Sequence, residues 1–162
     1  MEDIAVNIHT GSLVNQLLAA LQVTVPAEIA KRNVNLEFER HLPDIEQWVV
    51  GYRDILTDLQ EGAPVVALRS DEHYVNPDTS HMERFACSLV IADKESDPGT
   101  GWEHLCDYEA IVDGFLRTLP RLSDEIVGVR EVKFQKGQSD GAYLCFVDFC
   151  VDVDIPVSME GV

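Results

Sequence analysis

The last strand predicted in the sequence carries the most suggestive chemical pattern of the chain. Side chains alternate between the two faces of a sheet, so Asp148, Asp152 and Asp154 share one face of this strand. Clustered carboxylates can hold Mg²⁺ for phosphoryl chemistry, and Glu37 or Glu39 of another predicted strand would be a fourth ligand. A solvated or interface-facing sheet gives the same alternation without any metal. We favour that second interpretation and assign all five carboxylates as candidate interface or channel-facing residues.

Other chemistry-bearing residues do not group into a site. The five histidines stand at unrelated spacings and are expected to be exposed; they are His9, His41, His73, His81 and His104. No GxSxG, HExxH, Walker A or GxGxxG motif occurs. Three aromatic residues are expected to anchor the core or helix starts; they are Trp48, Trp102 and Tyr108. No residue pattern in the sequence indicates a catalytic centre, a metal site or a cofactor site, so we expect that the protein is not an enzyme.

The elements that position these residues follow from apolar spacing. Eight are predicted, in the order α, β, α, β, β, α, β, β. They are a helix from Ser12 to before Pro26, with another helical turn over Ala27–Arg32 left open, a strand over Val34–Leu42, a helix over 44–60, strands over Ala63–Leu68 and Met82–Asp93, a helix over Trp102–Leu119 ended by Pro120, and strands over Val127–Lys136 and Ala142–Ile155. Three loops are predicted between them, over Arg69–His81, Lys94–Gly101 and Gly137–Gly141.

This order predicts the fold class. Strands and helices do not alternate regularly, which favours a mainly antiparallel sheet with helices packed on one face. We therefore expect an α+β fold, a small two-layer sandwich, in a single domain over residues 1–162. Its core is expected over about residues 12–156, with short extensions at both ends.

Composition limits the classes of partner. The chain has 162 residues, and 29 acidic against 12 basic side chains give a formal charge of −17. Such a chain repels phosphate backbones and anionic membranes. The four cysteines form no CxxC pair, and Glu2 and Asp3 do not fit a signal peptide. No apolar run approaches the roughly 20 residues needed to cross a bilayer. We expect reduced thiols in a protein made in the cytoplasm, with no membrane partner.

The layout of these elements resembles the tail terminator, or tail completion, proteins of long-tailed bacteriophages. The resemblance covers about residues 12–155 and lies in the order of elements rather than in a signature motif. After the N-terminal helix it is carried by the strand Leu36-Glu37-Phe38-Glu39-Arg40-His41-Leu42-Pro43, the stretch ending in Asp58-Leu59, the strand Pro64-Val65-Val66-Ala67-Leu68, the arginine-bearing start Met82-Glu83-Arg84-Phe85, and the helix Trp102 to Leu119.

The resemblance implies a function. It implies a virion structural protein that forms a homohexameric ring on the head-proximal end of the tail. Its partners would be its own copies, the tail tube protein and the head-tail connector or neck protein, with genomic DNA passing through the lumen without specific binding. The family brings no catalytic residues to carry over. The acidity suits the role, because a negative ring does not attract passing DNA.

Two other functions stay open on the sequence. An acidic DNA mimic or inhibitor would occupy the basic cleft of a nucleic-acid enzyme as a monomer or dimer, so its oligomeric state would distinguish it from a ring. A metal-dependent nuclease using the aspartates of the last strand would require a divalent ion.

Overall fold

The protein folds into three α-helices and a five-stranded, mostly antiparallel sheet, which confirms the α+β class. The computed structural model describes residues 13–51, 54–75, 82–122 and 124–154; Ser12, His9, His81 and Ile155, used in the predictions, lie outside these ranges. In chain order the elements are α1 (Leu13–Val34), the 3₁₀ helix η1 (Phe38–Arg40), β1 (Gln47–Val50), α2 (Ile55–Glu61), β2 (Val65–Val75), β3 (Met82–Lys94), α3 (Pro98–Leu122), β4 (Ile126–Ser139) and β5 (Ala142–Asp154).

The strands lie in the order β1-β2-β3-β5-β4, so β1 and β4 form the two edges. Only β1 and β2 are parallel, and α2 connects them. The other three pairings are antiparallel. The central pair joins β3 to β5, which are separated in sequence by α3 and β4.

Two layers of apolar side chains cover the sheet unequally. The larger core lies between α1, α3 and one sheet face, where Leu17, Tyr108 and Phe115 pack against Val147 and Phe149. A smaller core lies at one end of the opposite face. There α2 places Leu59 with a short apolar group on the strands, made of Val65, Ala67, Val90, Ala92, Ala142 and Leu144. The two long helices thus share one face as predicted, and short α2 packs on the other.

The sequence pattern predicts that the first helix stops before Pro26. Helix α1 instead continues through this proline to Val34. Proline removes one amide hydrogen bond and costs a helix about 3 kcal/mol. Val25 and Ile29, 0% and 2% exposed, extend the buried face across the proline. Burying two such side chains contributes about 3–6 kcal/mol, which outweighs that cost.

The strand predicted over Val34–Leu42 is wrong. Val34 ends α1, and η1 follows. The Asn33 side chain donates to the Leu42 carbonyl at 2.9 Å and accepts from the Leu42 amide at 2.8 Å. One side-chain amide therefore satisfies backbone groups that a neighbouring strand would otherwise satisfy. Glu37 and Glu39 consequently lie on η1, outside the sheet.

The helix predicted over residues 44–60 is only partly correct. Residues Gln47–Val50 form the first strand, and the helix is limited to Ile55–Glu61. Gly51 has φ 71°, a left-handed conformation that glycine adopts without steric cost and that separates the two elements. Asp54 caps α2 by accepting from the Leu56 amide at 3.1 Å.

Three loop boundaries also differ from prediction. Strand β2 runs on to Val75 through the polar stretch that starts at Arg69, because β3 pairs with it on both sides of a register shift between Ser70 and Glu72. Helix α3 starts at Pro98, inside the predicted Lys94–Gly101 loop, and ends beyond Pro120 at Leu122. The predicted Gly137–Gly141 loop shrinks to a tight turn, since β4 continues to Ser139.

Local signals explain the early start of α3 and the tight turn. The Asp97 carboxylate accepts from the Thr100 amide at 2.9 Å, and Pro98 occupies the first helical position, where its missing amide costs nothing. Asp140 and Gly141 have φ 47° and 79°, as a two-residue turn between twisted strands requires.

The expectation that no apolar run approaches the length of a membrane span is wrong for α1, which is long and apolar enough, by length and composition alone, to cross a bilayer. Its seven buried residues, among them Leu13 and Leu21, face the core of the protein. The core helix of a soluble protein passes the same test, and the packing of α1 accounts for its apolar composition.

Candidate interaction surface

The part of the second sheet face that α2 leaves uncovered is the candidate functional surface. We call it the open face; it consists of Arg84 and Ser88 on β3, Asp148, Cys150, Asp152 and Asp154 on β5, and Arg130, Glu131 and Lys133 on β4. Antiparallel register brings these residues together, since Arg84 lies opposite Asp152, and Ser88 opposite Asp148. The predicted face alternation of β5 is confirmed, because Val147, Phe149 and Val151 are buried in the larger core.

Asp152 is the centre of an ion-pair cluster on this face. Its side chain is only 7% exposed, although it lies on the side of the sheet that α1 and α3 do not cover. Arg84 donates from Nε to Oδ1 at 2.7 Å and from its terminal nitrogen to Oδ2 at 3.3 Å. Arg130 donates from Nε to Oδ2 at 2.5 Å. Both carboxylate oxygens are therefore engaged by arginine side chains, and Asp152 is the least exposed of the three aspartates on this face.

These contacts set the protonation of the cluster. The hydrogen bond from Arg84 lowers the pKa of Asp152 below its ordinary value, and Arg130 adds to this effect against the opposing effect of burial. The carboxylate is thus held in its charged form. Arg84 on β3 makes two hydrogen bonds to the charged Asp152 carboxylate on β5, and Arg130 on β4 makes one. These charge-assisted bonds fix the relative positions of the three strands.

The remaining predicted residues fall into two groups. Asp148 is exposed and accepts a hydrogen bond from the Ser88 hydroxyl at 2.8 Å, and Asp154 is exposed at the end of β5. Glu37 and Glu39 are exposed on η1 and do not join the open face. The structure therefore groups the three aspartates on one strand and separates them from the two glutamates.

A groove of about 730 Å³ runs along the open face beside the cluster. It is lined by Tyr74, Met82, Arg84, Glu131 and Asp152, among others. Glu131 stands in a bulge of β4 with φ 55°, and its carboxylate lies 3.3 Å from the Cys150 thiol. Burial, and then this carboxylate, raise the pKa of Cys150, so the thiol is protonated and a poor nucleophile.

The geometry does not favour the magnesium hypothesis. Within the described ranges no three His, Cys, Asp or Glu side chains are close enough to share one ion. Asp148 and Asp152 stand four residues apart on one strand, roughly 13 Å at about 3.3 Å per residue. Asp152 would also have to exchange its arginine contacts for a metal.

A second polar cluster lies inside the protein, where no sequence pattern indicated it. His104 and Asp93 are each 3% exposed, with His104 Nδ1 3.5 Å from the Asp93 carboxylate. The Tyr108 hydroxyl donates to Asp93 at 3.3 Å, and His104 Nε2 lies 3.2 Å from the Arg40 carbonyl. Burial alone lowers the pKa of His104, but Asp93 and the Arg40 carbonyl together raise it above its ordinary value.

This cluster joins β3, α3 and the last residue of η1, Arg40. The prediction of exposed histidines is wrong for His104, and His41 and His73 are half-buried. The only sequence signal would have been a histidine on the core side of α3, four residues before Tyr108. The cluster holds η1 against α3, and its side chains His104, Asp93 and Tyr108 are almost fully buried.

The remaining sequence predictions have mixed outcomes. Tyr108 is fully buried and Trp48 packs partly against the core, as predicted, whereas Trp102 at the start of α3 is 46% exposed. All four cysteines are free, as predicted. Burial raises the pKa of Cys87 and of Cys145 to about 12, which keeps both thiols unreactive.

No model of a known protein family matches the chain, and no curated protein sequence matches it significantly.

Proposed function

We propose that the chain is a virion structural protein, the tail terminator of a long-tailed bacteriophage. In this role six copies form a ring on the head-proximal end of the tail tube and offer a docking surface to the connector or neck protein. The protein turns over no substrate and holds no cofactor. It is made in the host cytoplasm and acts in the virion.

The observation that carries the proposal is the open face, which lies on the side of the sheet opposite α1 and α3. Its carboxylates outnumber its cationic side chains; the carboxylates are Glu131, Asp148, Asp152 and Asp154, and the cations are Arg84, Arg130 and Lys133. Asp152 already engages two of those cations, so little positive charge is left to attract a phosphate backbone. Such a face can line a passage for double-stranded DNA without retaining it.

The order of elements also supports the proposal, with one change. The resemblance places the first strand over residues 36–43, whereas the strand in this chain lies at Gln47–Val50. The sequence of helices and strands along the chain is otherwise the order on which the resemblance is based.

Cryo-electron microscopy of tails that contain this chain tests the proposal. We expect a ring of six copies at the head-proximal end of the tube, with the open face toward the lumen. Tails assembled without the chain should exceed their normal length and fail to join heads. A reconstruction that places the chain elsewhere in the virion, or in none of its parts, would refute the proposal.

The DNA-mimic alternative is favoured by one observation, the charge of −17 on 162 residues. A mimic acts as a monomer or dimer on a basic cleft. Two results would favour the mimic over the ring. In a titration, a single copy of the chain would inhibit a nucleic-acid enzyme, and tails assembled without the chain would have their normal length.

The nuclease alternative is weakened by the arginine contacts of Asp152. A ligand that binds only the native state raises its stability by mass action. Thermal unfolding in millimolar Mg²⁺ and in chelator should therefore give the same midpoint. A rise with Mg²⁺ that disappears when Asp148, Asp152 and Asp154 are all replaced by Asn would restore the nuclease interpretation.

A further inference from the structure

An exposed aromatic side chain follows the C-terminal end of α1. Phe38 on η1 is 82% exposed, and nearby Val34 is 81% exposed. Glu37 and Glu39 flank Phe38 and are exposed as well. We call these four residues the Phe38 knob. Among the described residues only the His41 ring lies near the Phe38 ring, with centroids 5.5 Å apart, and most of the side chain stays exposed. A large exposed apolar side chain between two carboxylates is a feature of a contact surface.

The Phe38 knob is held firmly in position. Asn33 binds both backbone groups of Leu42 on one side of η1. Arg40 forms an ion pair with Glu103 of α3 at 2.7 Å, and its carbonyl meets buried His104. A surface that is rigid before binding loses little conformational entropy on association.

An apolar groove lies on another part of the molecule, between the outer flank of α3 and the edge strand β4. We call it the α3–β4 groove; its volume is about 420 Å³ and it is lined by Asp113, Leu116, Arg117, Pro120, Val129, Val132 and Phe134. Val132 belongs to the bulge of β4 and is 40% exposed. Five of these seven lining residues are apolar, and the other two form an ion pair in which Arg117 lies 3.0 Å from Asp113.

The charges around the two surfaces are complementary. Glu37 and Glu39 flank the knob. Arg117 at the rim of the groove has a side chain 77% exposed, and Arg121 is exposed one turn further along α3. Arg117 shares its charge with Asp113, so Arg121 is the cation beside the groove that is best placed to meet the carboxylates of the knob.

The knob cannot reach the groove of its own chain, because the two lie on opposite flanks of α3. Arg32 at the end of α1 pairs with Asp107 at 2.9 Å, whereas Lys136 of β4 pairs with Glu109 at 2.9 Å. At 3.6 residues per turn, Asp107 and Glu109 point about 200° apart around the helix axis. The groove also lies farther along α3 than the contact with η1.

We infer that the Phe38 knob of one copy inserts into the α3–β4 groove of a second copy. The contact is head-to-tail, since each copy uses different surfaces as donor and acceptor. Head-to-tail contacts that close by rotation form a ring, and this closure is the only step that rests on the proposed function. The contact itself requires no tail.

Disulfide trapping between two differently tagged copies tests the contact, including a weak one. The first copy carries Phe38→Cys and the second carries Val132→Cys; both carry Cys106→Ser, which removes the native exposed thiol. The other three cysteines are buried. A matched control replaces Phe38→Cys by Val23→Cys, since Val23 on α1 is 51% exposed and belongs to neither surface.

Mild oxidation of the mixed copies at roughly millimolar concentration should give a disulfide-linked heterodimer at least about tenfold above the control pair. Each substituted side chain is exposed, so unfolding midpoints should match those of the Cys106→Ser parent. Equal yields from the test and control pairs would overturn the inference. A homodimer of the Phe38→Cys copy as abundant as the heterodimer would also overturn it, because that product requires a symmetric contact.

Charge reversal gives an independent second measurement. Glu37→Lys with Glu39→Lys on the knob copy should lower the heterodimer yield, and Arg121→Glu on the groove copy should restore it. A yield unaffected by either change would contradict the assigned orientation.

The outcomes separate this inference from the proposed function. Trapping without a ring on tails would leave the contact standing and refute the tail terminator. A ring on tails whose copies meet through other surfaces would leave the tail terminator standing and refute the contact.

Discussion

Replacement of Asp152 by Asn tests whether the charge cluster stabilises the fold. The substitution keeps the shape of the side chain but removes its charge and turns one acceptor into a donor that faces an arginine donor. Hydrogen bonds between charged groups contribute about 1.5–3 kcal/mol each to stability, and breaking a fully buried ion pair costs about 3–5 kcal/mol. Arg84 and Arg130 have side chains 38% and 61% exposed, so water can solvate them after the change.

We therefore expect Asp152→Asn to lower the free energy of unfolding by about 2–3 kcal/mol at pH 7, from the lower part of those ranges. For a chain of this length the unfolding midpoint should fall by roughly 4–12 °C. The matched control is Asp148→Asn on the same face of the same strand. Asp148 is exposed and accepts one hydrogen bond from Ser88, so its change should stay within about 0.5 kcal/mol.

The stabilisation by Asp152 should decrease as the solution becomes acidic. The folded pKa of Asp152 lies below the unfolded value, so its stabilisation is complete above the unfolded pKa, about 3.9. It is lost as the pH falls through the folded pKa. Urea unfolding followed by circular dichroism at pH 7, 5, 4 and 3 should show the difference between wild type and Asp152→Asn shrinking below about pH 4.

Subtracting the variant from wild type cancels the titration of the other carboxylates. If the Asp152→Asn variant has the same free energy of unfolding as wild type at pH 7, the reasoning is refuted. Repulsion among the aspartates would then cancel the stabilisation that the arginine contacts provide. A destabilisation that stays constant from pH 7 to pH 3 would refute it as well, because loss of packing rather than of charge would then be responsible.

Three further outcomes follow from buried groups. Phe115, 2% exposed on α3, should cost about 3–5 kcal/mol when replaced by Ala, as measured by urea unfolding; an unchanged midpoint would mean that α3 packs through a different side. Gly101→Ala should destabilise the fold by about 1–3 kcal/mol, because its Cβ would lie 2.4 Å from the Tyr143 ring; thermal unfolding as in wild type would contradict this contact. His104 has a folded pKa above its unfolded value, so its contribution is complete below about pH 6.5 and is lost as the pH rises through the folded pKa. Stability measured from pH 6 to pH 9 should fall more in wild type than in His104→Gln, and parallel curves would show that Asp93 does not stabilise the charged ring.

The sequence predicts those parts of the fold in which one pattern of burial extends along an element. Strands β3 and β5 and the middle of α3 have long apolar faces, and their predicted bounds differ little from the observed ones. The prediction is wrong where local side-chain bonds replace the backbone pattern. The alternation from Leu36 to Leu42 is that of a strand, yet the bonds from Asn33 to Leu42 hold a turn there.

The candidate surface could be predicted only in part. The alternation of β5 places three aspartates on one face, but a single strand does not show which side chains lie opposite. Arg84 is 68 residues from Asp152 in sequence, and only the pairing of β3 with β5 brings them together. The β4 bulge has no clear sequence signal, because Glu131 adopts a positive φ without glycine.

The order of the strands has a consequence for how the chain folds. Three of the four strand pairings join neighbours in sequence, and their connections are shorter than the segment between β3 and β5. The pairing of β3 with β5 is different, since it encloses residues 95–141, including the whole of α3. Closing a longer segment costs more chain entropy, and non-local pairings slow folding. We therefore expect the two halves of the sheet to form early and separately, and the docking of α3 together with the pairing of β5 with β3 to limit the rate of folding.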